Sequence, residues 1–126
     1  MVGIFFIARL GSTRLERKHL ISVNGKTFIE WLVKRFEFEF QEEIKRAEIK
    51  LFITTSIRNE NQEFETLFKE SETEVFFGND ENIPMRQLEC AKYHHISHII
   101  SIDGDDILCS TSAARLVYQK LLENEG

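Results

Sequence analysis

Residues 2–8, Val-Gly-Ile-Phe-Phe-Ile-Ala, form an unbroken apolar, β-prone run. A strand of this kind has no polar face to offer water, so it must be covered on both sides. Parallel sheets with helices on both faces meet that requirement, whereas half-wet antiparallel sheets show alternating patterns. The remaining chain supplies the covering elements. Residues 9–24 are polar and basic, with Gly11 and Asn24-Gly25 as turn signals. Residues 27–40 place Phe28, Trp31, Leu32, Arg35 and Phe36 at helical spacing, and Thr27 with Glu30 makes a capping-box pattern. Residues 48–54 read as a second strand and residues 61–70 as a second helix, with Phe64, Leu67 and Phe68 on one side. Residues 74–77 form a short third strand closed by Gly78-Asn79. Asn82 caps a third helix running to about Tyr93, with Pro84 in its first turn, where a missing N–H is harmless. Residues 98–102 are a fourth strand, Asp103-Gly104-Asp105-Asp106 ends it, and residues 111–122 are a last helix.

Strands that alternate with helices predict an α/β fold, a mostly parallel sheet flanked by helices. The length of 126 residues suits a single domain over residues 1–126. The composition allows a real core, since 42% of residues are apolar and eleven are Phe, a side chain that buries a large area. No internal repeat or linker interrupts it. In such sheets ligands bind beyond the carboxyl ends of the strands. The segments after the first and fourth strands are therefore the places to look for chemistry.

The formal net charge of −5 opposes a general nucleic-acid binder, which carries a basic face. The two cysteines, Cys90 and Cys109, make no CxxC pair and suit a reduced, cytoplasmic setting. The apolar start lacks a basic flank before it, which argues against a signal peptide. No apolar run approaches the roughly 20 residues of a membrane span.

The segment Arg9-Leu10-Gly11-Ser12-Thr13-Arg14-Leu15-Glu16-Arg17-Lys18 sets four cations against one carboxylate in an acidic protein. Phosphate is one reason for such concentration: Arg offers a planar fork, Lys a point charge. Gly11 lets backbone N–H groups approach an anion, and Ser12 and Thr13 add hydroxyls. The other reading is a solvated basic loop. The spacing is neither GxxxxGK[ST] nor GxGxxG. In Asp103-Gly104-Asp105-Asp106, carboxylates at a strand end suit Mg²⁺, which takes one or two carboxylates plus substrate phosphates. A polar turn explains the same residues, because Asp and Gly favour turns.

The stretch Phe5-Phe6-Ile7-Ala8-Arg9-Leu10-Gly11-Ser12-Thr13-Arg14-Leu15-Glu16-Arg17-Lys18-His19-Leu20 resembles the opening of the CMP-sugar cytidylyltransferases. These are the CMP-Kdo synthetase, acylneuraminate cytidylyltransferase and spore-coat polysaccharide cytidylyltransferase group, whose opening reads in outline P-A-R-x-x-S-T-R-L-P-G-K-x-L. Val23-Asn24-Gly25-Lys26-Thr27-Phe28-Ile29-Glu30-Trp31 is similar to its N-G-K-P-M-I continuation. Ser101-Ile102-Asp103-Gly104-Asp105-Asp106-Ile107-Leu108 resembles the family's strand followed by G-D-x-P-L. The run from Val75 to Arg86 resembles the spore-coat branch's V-F-R-G-S-E-x-D-V-L-x-R. Four positions depart from the pattern: Glu16-Arg17 stand for Pro-Gly, Ile7 for the Pro before Ala, and Ile107 for the Pro of the acidic motif.

The resemblance implies the N-terminal half of a Rossmann-like nucleotide-diphospho-sugar transferase fold. It implies that Arg9, Arg14 and Lys18 hold the CTP triphosphate, with Arg14 and Lys18 as the catalytic pair. Ala8, Gly11 and Ser12 then line the nucleotide, Arg86 is a further nucleotide contact, and Asp105 ligates Mg²⁺. The implied reaction transfers CMP from CTP to an acidic or related sugar for surface polysaccharide or glycan synthesis, in a homo-oligomer without nucleic acid or membrane. The family's second half supplies sugar contacts, a second metal-binding Asp and a dimer arm, so a non-catalytic nucleotide-binding or scaffolding homologue is the alternative. A nucleic-acid module using the basic loop is opposed by net acidity and by the lack of interleaved aromatics.

Other features carry less. His94, His95 and His98 suit a helix C-terminus and have no matched acid or cysteine to complete a zinc site. Arg86 has a helix-surface reading beside its ligand reading. Cys90 reads as core, and Cys109 lacks a His partner for nucleophilic chemistry. Phe28, Trp31, Phe36, Phe38 and Phe40 read as core or partner surface, and Glu37, Glu39, Glu42 and Glu43 as a solvated helix end. The exposed edge of a half-core predicts self-association.

Overall fold

A computed structural model describes residues 1–7, 22–23, 26–56, 62–78, 82–103 and 111–125. In chain order the elements are β1 (Val2–Ile7), β2 (Ser22–Val23), β3 (Lys26–Thr27), α1 (Phe28–Glu39), α2 (Gln41–Lys45), β4 (Ile49–Ser56), α3 (Gln62–Leu67), β5 (Glu74–Gly78), α4 (Ile83–His94), β6 (His98–Asp103) and α5 (Thr111–Glu125). Four strands make one sheet in the order β5-β4-β1-β6, every pairing parallel. The α/β expectation holds. β2 and β3 form a small antiparallel pair, with Ser22 opposite Thr27 and Val23 opposite Lys26. This hairpin lies in a stretch read above as loop. Two residues in each strand are too few for periodicity to register, although Asn24-Gly25 is the strongest short hairpin signal.

β1 is buried along most of its length, as its lack of a polar face required: Ile4, Phe5 and Phe6 are each 0% exposed. Alternation along the strands sends side chains to two separate cores. On one face Val2, Ile4 and Phe6 join Ile49, Leu51, Ile53, Ile100 and Ile102 beneath α1, α5 and Phe64 of α3. On the other, Phe5 and Phe52 pack with Cys90 and Ala91 of α4. This division follows from the connections. The chain steps outward from β1 to β4 to β5, then α4 carries it back to place β6 on the far side of β1. Right-handed crossovers in opposite directions put their helices on opposite faces. Edge-to-face rings fix each layer, Phe5 on Phe52 at 5.2 Å and Phe6 on Phe36 at 5.3 Å. Such pairs add about 0.5–1.5 kcal/mol beyond burial. Burial also pushes the Cys90 thiol up to about 12, as befits a core residue and no nucleophile.

The capping box at α1 is present: Thr27 Oγ1 accepts from Glu30 N, and Thr27 N donates to the Glu30 carboxylate at 3.0 Å. The acidic end of this helix is not the solvated surface that its charge suggested. α1 stops at Phe40, which is fully buried and set edge-on to Tyr118 of α5 at 6.1 Å. α2 then restarts and swings Glu43 inward. Arg115 of α5 donates to Glu43 Oε2 at 2.7 Å and to Glu39 Oε2 at 2.9 Å. Its guanidinium also lies over the Phe40 ring at 4.7 Å. Glu37 in turn accepts from the Ser71 and Thr73 hydroxyls, each at 2.8 Å. Of the four glutamates only Glu42 matches the solvated reading outright. A 3.6-residue period cannot show a helix break, and the break decides which way Glu43 points. Among the aromatics of this region Phe36 and Phe40 are core, while Phe38 is 75% exposed.

Replacing Arg115 by Met strands Glu43 without its cation. The expected loss is about 2 kcal/mol of unfolding free energy in urea. Hydrogen bonds from Arg115 hold the Glu43 carboxyl below its ordinary value of 4.5. Because the folded pKa is the depressed one, this stabilisation is complete above that ordinary value and is lost as pH falls through the lower folded pKa. Thermal melts of Glu43→Gln between about pH 3 and 6 should therefore show a flatter acid limb than the wild type. Parallel limbs would mean that the pair contributes nothing.

Candidate functional site

The strand order reverses at β1. β4 and β5 lie to one side of it and β6 to the other, so β1 and β6 flank the topological switch point where α/β sheets open a crevice. Register aligns the carboxyl ends of all four strands. Ile7 pairs with Asp103 on one side and with Thr54 on the other, and Thr54 pairs with Phe76. The chain therefore leaves the sheet into the basic segment and into the acidic segment from directly paired positions. Four cations between residues 9 and 18 and the carboxylates of Asp105 and Asp106 follow from neighbouring strands. A metal-bound polyphosphate needs both kinds of group, cations for its oxygens and carboxylates for its metal.

Ala8, Arg9, Gly11, Ser12, Arg14, Lys18 and Asp105 lie outside the described residues, as do Glu16 and Arg17. Arg86 is described. Asn82 caps α4 by accepting from Met85 N at 3.0 Å, and Pro84 sits in the first turn as the sequence predicts. Arg86 follows one helical step later and is 1% exposed, so it is no helix-surface residue. Its Nη1 donates to the Thr54 carbonyl at 3.2 Å, which ties α4 to the carboxyl end of β4. This approach depends on Gly78, the last residue of β5. A Cβ there would stand 2.8 Å from Arg86 Cγ and 3.1 Å from Phe76 Cε1. Sequence reading took Gly78 as a turn signal, and the close contact gives it a second use that no local pattern reveals.

A groove of about 520 Å³ runs between α1 and residues 67–72. Glu30, Glu37, Glu70 and Glu72 line it against Lys26 and Lys34. Its excess of carboxylates opposes a polyphosphate. The histidines belong to the opposite, amino end of the sheet. His94 Nε2 pairs with Glu74 at 3.3 Å and stacks near Phe52, and burial holds it below the usual histidine value while Glu74 pulls the other way. His95 is the left-handed C-cap of α4. Among the described residues no three His, Cys, Asp or Glu come together to hold a metal.

The cytidylyltransferase family model matches residues 4–126, nearly the whole chain. The chain belongs to the cytidylyltransferase family. A solved structure of a cytidylyltransferase from Leptospira borgpetersenii serovar Hardjo-bovis (strain JB197) superposes with a TM-score of 0.82 at 28% identity. The match covers 99% of this chain and 50% of that one, so the chain spans half the length of that relative. No curated protein sequence matches it. Among the described residues no helix is long and apolar enough to cross a membrane.

Gly78→Ala should lower the unfolding free energy by about 1–3 kcal/mol, the range for overpacking a filled site. Urea denaturation reads this directly. A neutral result would mean that α4 does not need the close approach to β5.

Proposed function

We propose that this cytidylyltransferase binds CTP with Mg²⁺ at the carboxyl edge of its sheet and transfers CMP to an acidic or related sugar. The observation that carries the reading is the pairing of Ile7 with Asp103, from which the basic and acidic segments set out side by side. Support also comes from the family match and from the likeness of both segments to the CMP-sugar group.

In this reading a sugar hydroxyl attacks the α-phosphorus of CTP. The new P–O bond forms as the bond to the β-phosphate oxygen breaks, and pyrophosphate leaves. Arg9, Arg14 and Lys18 hold the triphosphate and offset the charge that grows on the leaving group. Positioning and charge neutralisation are the main protein contributions to phosphoryl chemistry. Ala8, Gly11 and Ser12 lie along the nucleotide. Arg86 keeps a buried cation beneath it. The donor set fits Mg²⁺, because hard carboxylates follow a strand end next to phosphate-binding cations. Asp105 would hold the ion, which when bound neutralises phosphate oxygens and polarises the phosphorus. Sugar recognition belongs to the second half that longer family members carry, and assembly into a homo-oligomer is part of the proposal.

Calorimetric titration of CTP with Mg²⁺ tests it. Wild type should bind saturably, and Arg14→Ala should weaken binding by about tenfold or more, the loss of one charge-assisted contact. Pyrophosphate release with candidate sugar acids then tests turnover. Binding without turnover would favour the non-catalytic reading. Folded protein that binds no CTP would overturn the proposal.

A further inference from the structure

Thr54 sits near the carboxyl end of β4 and is 0% exposed. Alternation turns its side chain to the face of Phe52, the layer that α4 covers. Two hydrogen bonds meet at this residue. Its Oγ1 donates to the Phe6 carbonyl of β1 at 3.4 Å, and its own carbonyl accepts from Arg86 Nη1 at 3.2 Å. They run in series from α4 through β4 to β1. The hydroxyl bond is long. It is also buried, and a low local dielectric strengthens a bond of this kind and couples it to its neighbour in the chain.

The place of this link gives it a use. Phe6 precedes Ile7, which pairs with Thr54 and is the last described residue of β1. The basic segment begins at Arg9, three residues after Phe6. A grip on the Phe6 carbonyl therefore acts on the end of the strand that delivers the phosphate-binding cations. Arg86 stands at the other end of the link. Only 1% of its surface is open, and its guanidinium is turned to the main chain of β4. The room for its stem comes from Gly78, where a Cβ would stand 2.8 Å from Arg86 Cγ. A cation so placed acts on a ligand through the strand that it holds.

We infer that Arg86 and Thr54 are positioning residues for the triphosphate. Arg86 fixes the Thr54 peptide, the Thr54 hydroxyl fixes the end of β1, and β1 presents the basic segment to the phosphates. The inference rests on the cytidylyltransferase reading and replaces direct contact by Arg86 with action through Thr54.

Calorimetric titration of the full chain with CTP–Mg²⁺ and with inorganic triphosphate tests it, using wild type, Thr54→Val, Thr54→Ser, Arg86→Lys and the double variant Thr54→Val/Arg86→Lys. Thr54→Val keeps the shape of the side chain and removes the hydroxyl. It should weaken both ligands about fivefold, the size of one hydrogen bond. Thr54→Ser keeps the hydroxyl and should bind as the wild type does, while melting lower for want of a buried methyl. Affinity would then follow the hydroxyl and not the melting temperature, which a purely structural role does not allow. Arg86→Lys keeps the charge, loses the planar fork and should weaken both ligands too. Because the two bonds act in series, the double variant should lose no more than the weaker-binding single variant. Losses that multiply in the double variant would mean that Arg86 touches the nucleotide on its own, and would overturn the inference. So would equal losses for Thr54→Val and Thr54→Ser, or a loss confined to CTP. If Arg86→Lys does not fold, the comparison of Thr54→Val with Thr54→Ser decides alone. Wild type that binds neither ligand ends the nucleotide reading and this inference with it. Wild-type binding alongside an indifferent Thr54→Val sinks the inference alone.

Discussion

The structure is organised around the pairing of β1 on both of its edges. β4 holds one side and β6 the other, in register over all six residues of the strand. Because both faces of β1 are also covered, the strand is buried from Val2 to Phe6. Phe5 and Phe6 point to opposite faces and each anchors a core. The return of the chain across β1 creates the switch point, and that return is possible only because α4 can cover the face that α1 and α5 leave bare. The site is thus a product of connectivity as much as of side chains.

The charged interactions divide by purpose. Arg115 with Glu39 and Glu43 closes α5 onto the break between α1 and α2, far along the chain from either partner. Arg86 lies instead against the carboxyl end of β4 and rests on the room that Gly78 leaves. Both are arginines drawn inward, but one serves the packing of α5 on the helix break and the other holds the N-terminal part of α4 at the carboxyl edge of the sheet. Exposed apolar side chains show where the packing ends. Leu116 and Val117 of α5 and Leu88 of α4 stand in solvent.

Much of the fold was legible because the signals were local. The long apolar run named a parallel sheet, helical spacing named α1 and α3, Asn82 with Pro84 named α4, and Thr27 with Glu30 marked a helix start to the residue. Boundaries drifted by one to three residues where strands ran on into polar positions, as β4 does through Thr55 and Ser56. The two-stranded hairpin and the break at Phe40 were missed, since neither changes the apolar period. Of the candidate site, the two charged segments stand out in the sequence by concentration of charge and by likeness to a family, and they lie outside the described residues.

By itself the sequence determined the types of the main elements, a mostly parallel sheet and the two segments that carry the charge, because these depend on neighbouring residues and on side-chain chemistry. Tertiary structure alone decided the strand order and the pairing of Ile7 with Asp103, so that the two segments begin on neighbouring strands although nearly a hundred residues separate them. It also decided which polar groups are buried and which of those are satisfied. Such facts depend on contacts between distant elements, and they exist only once the crossovers have chosen their faces.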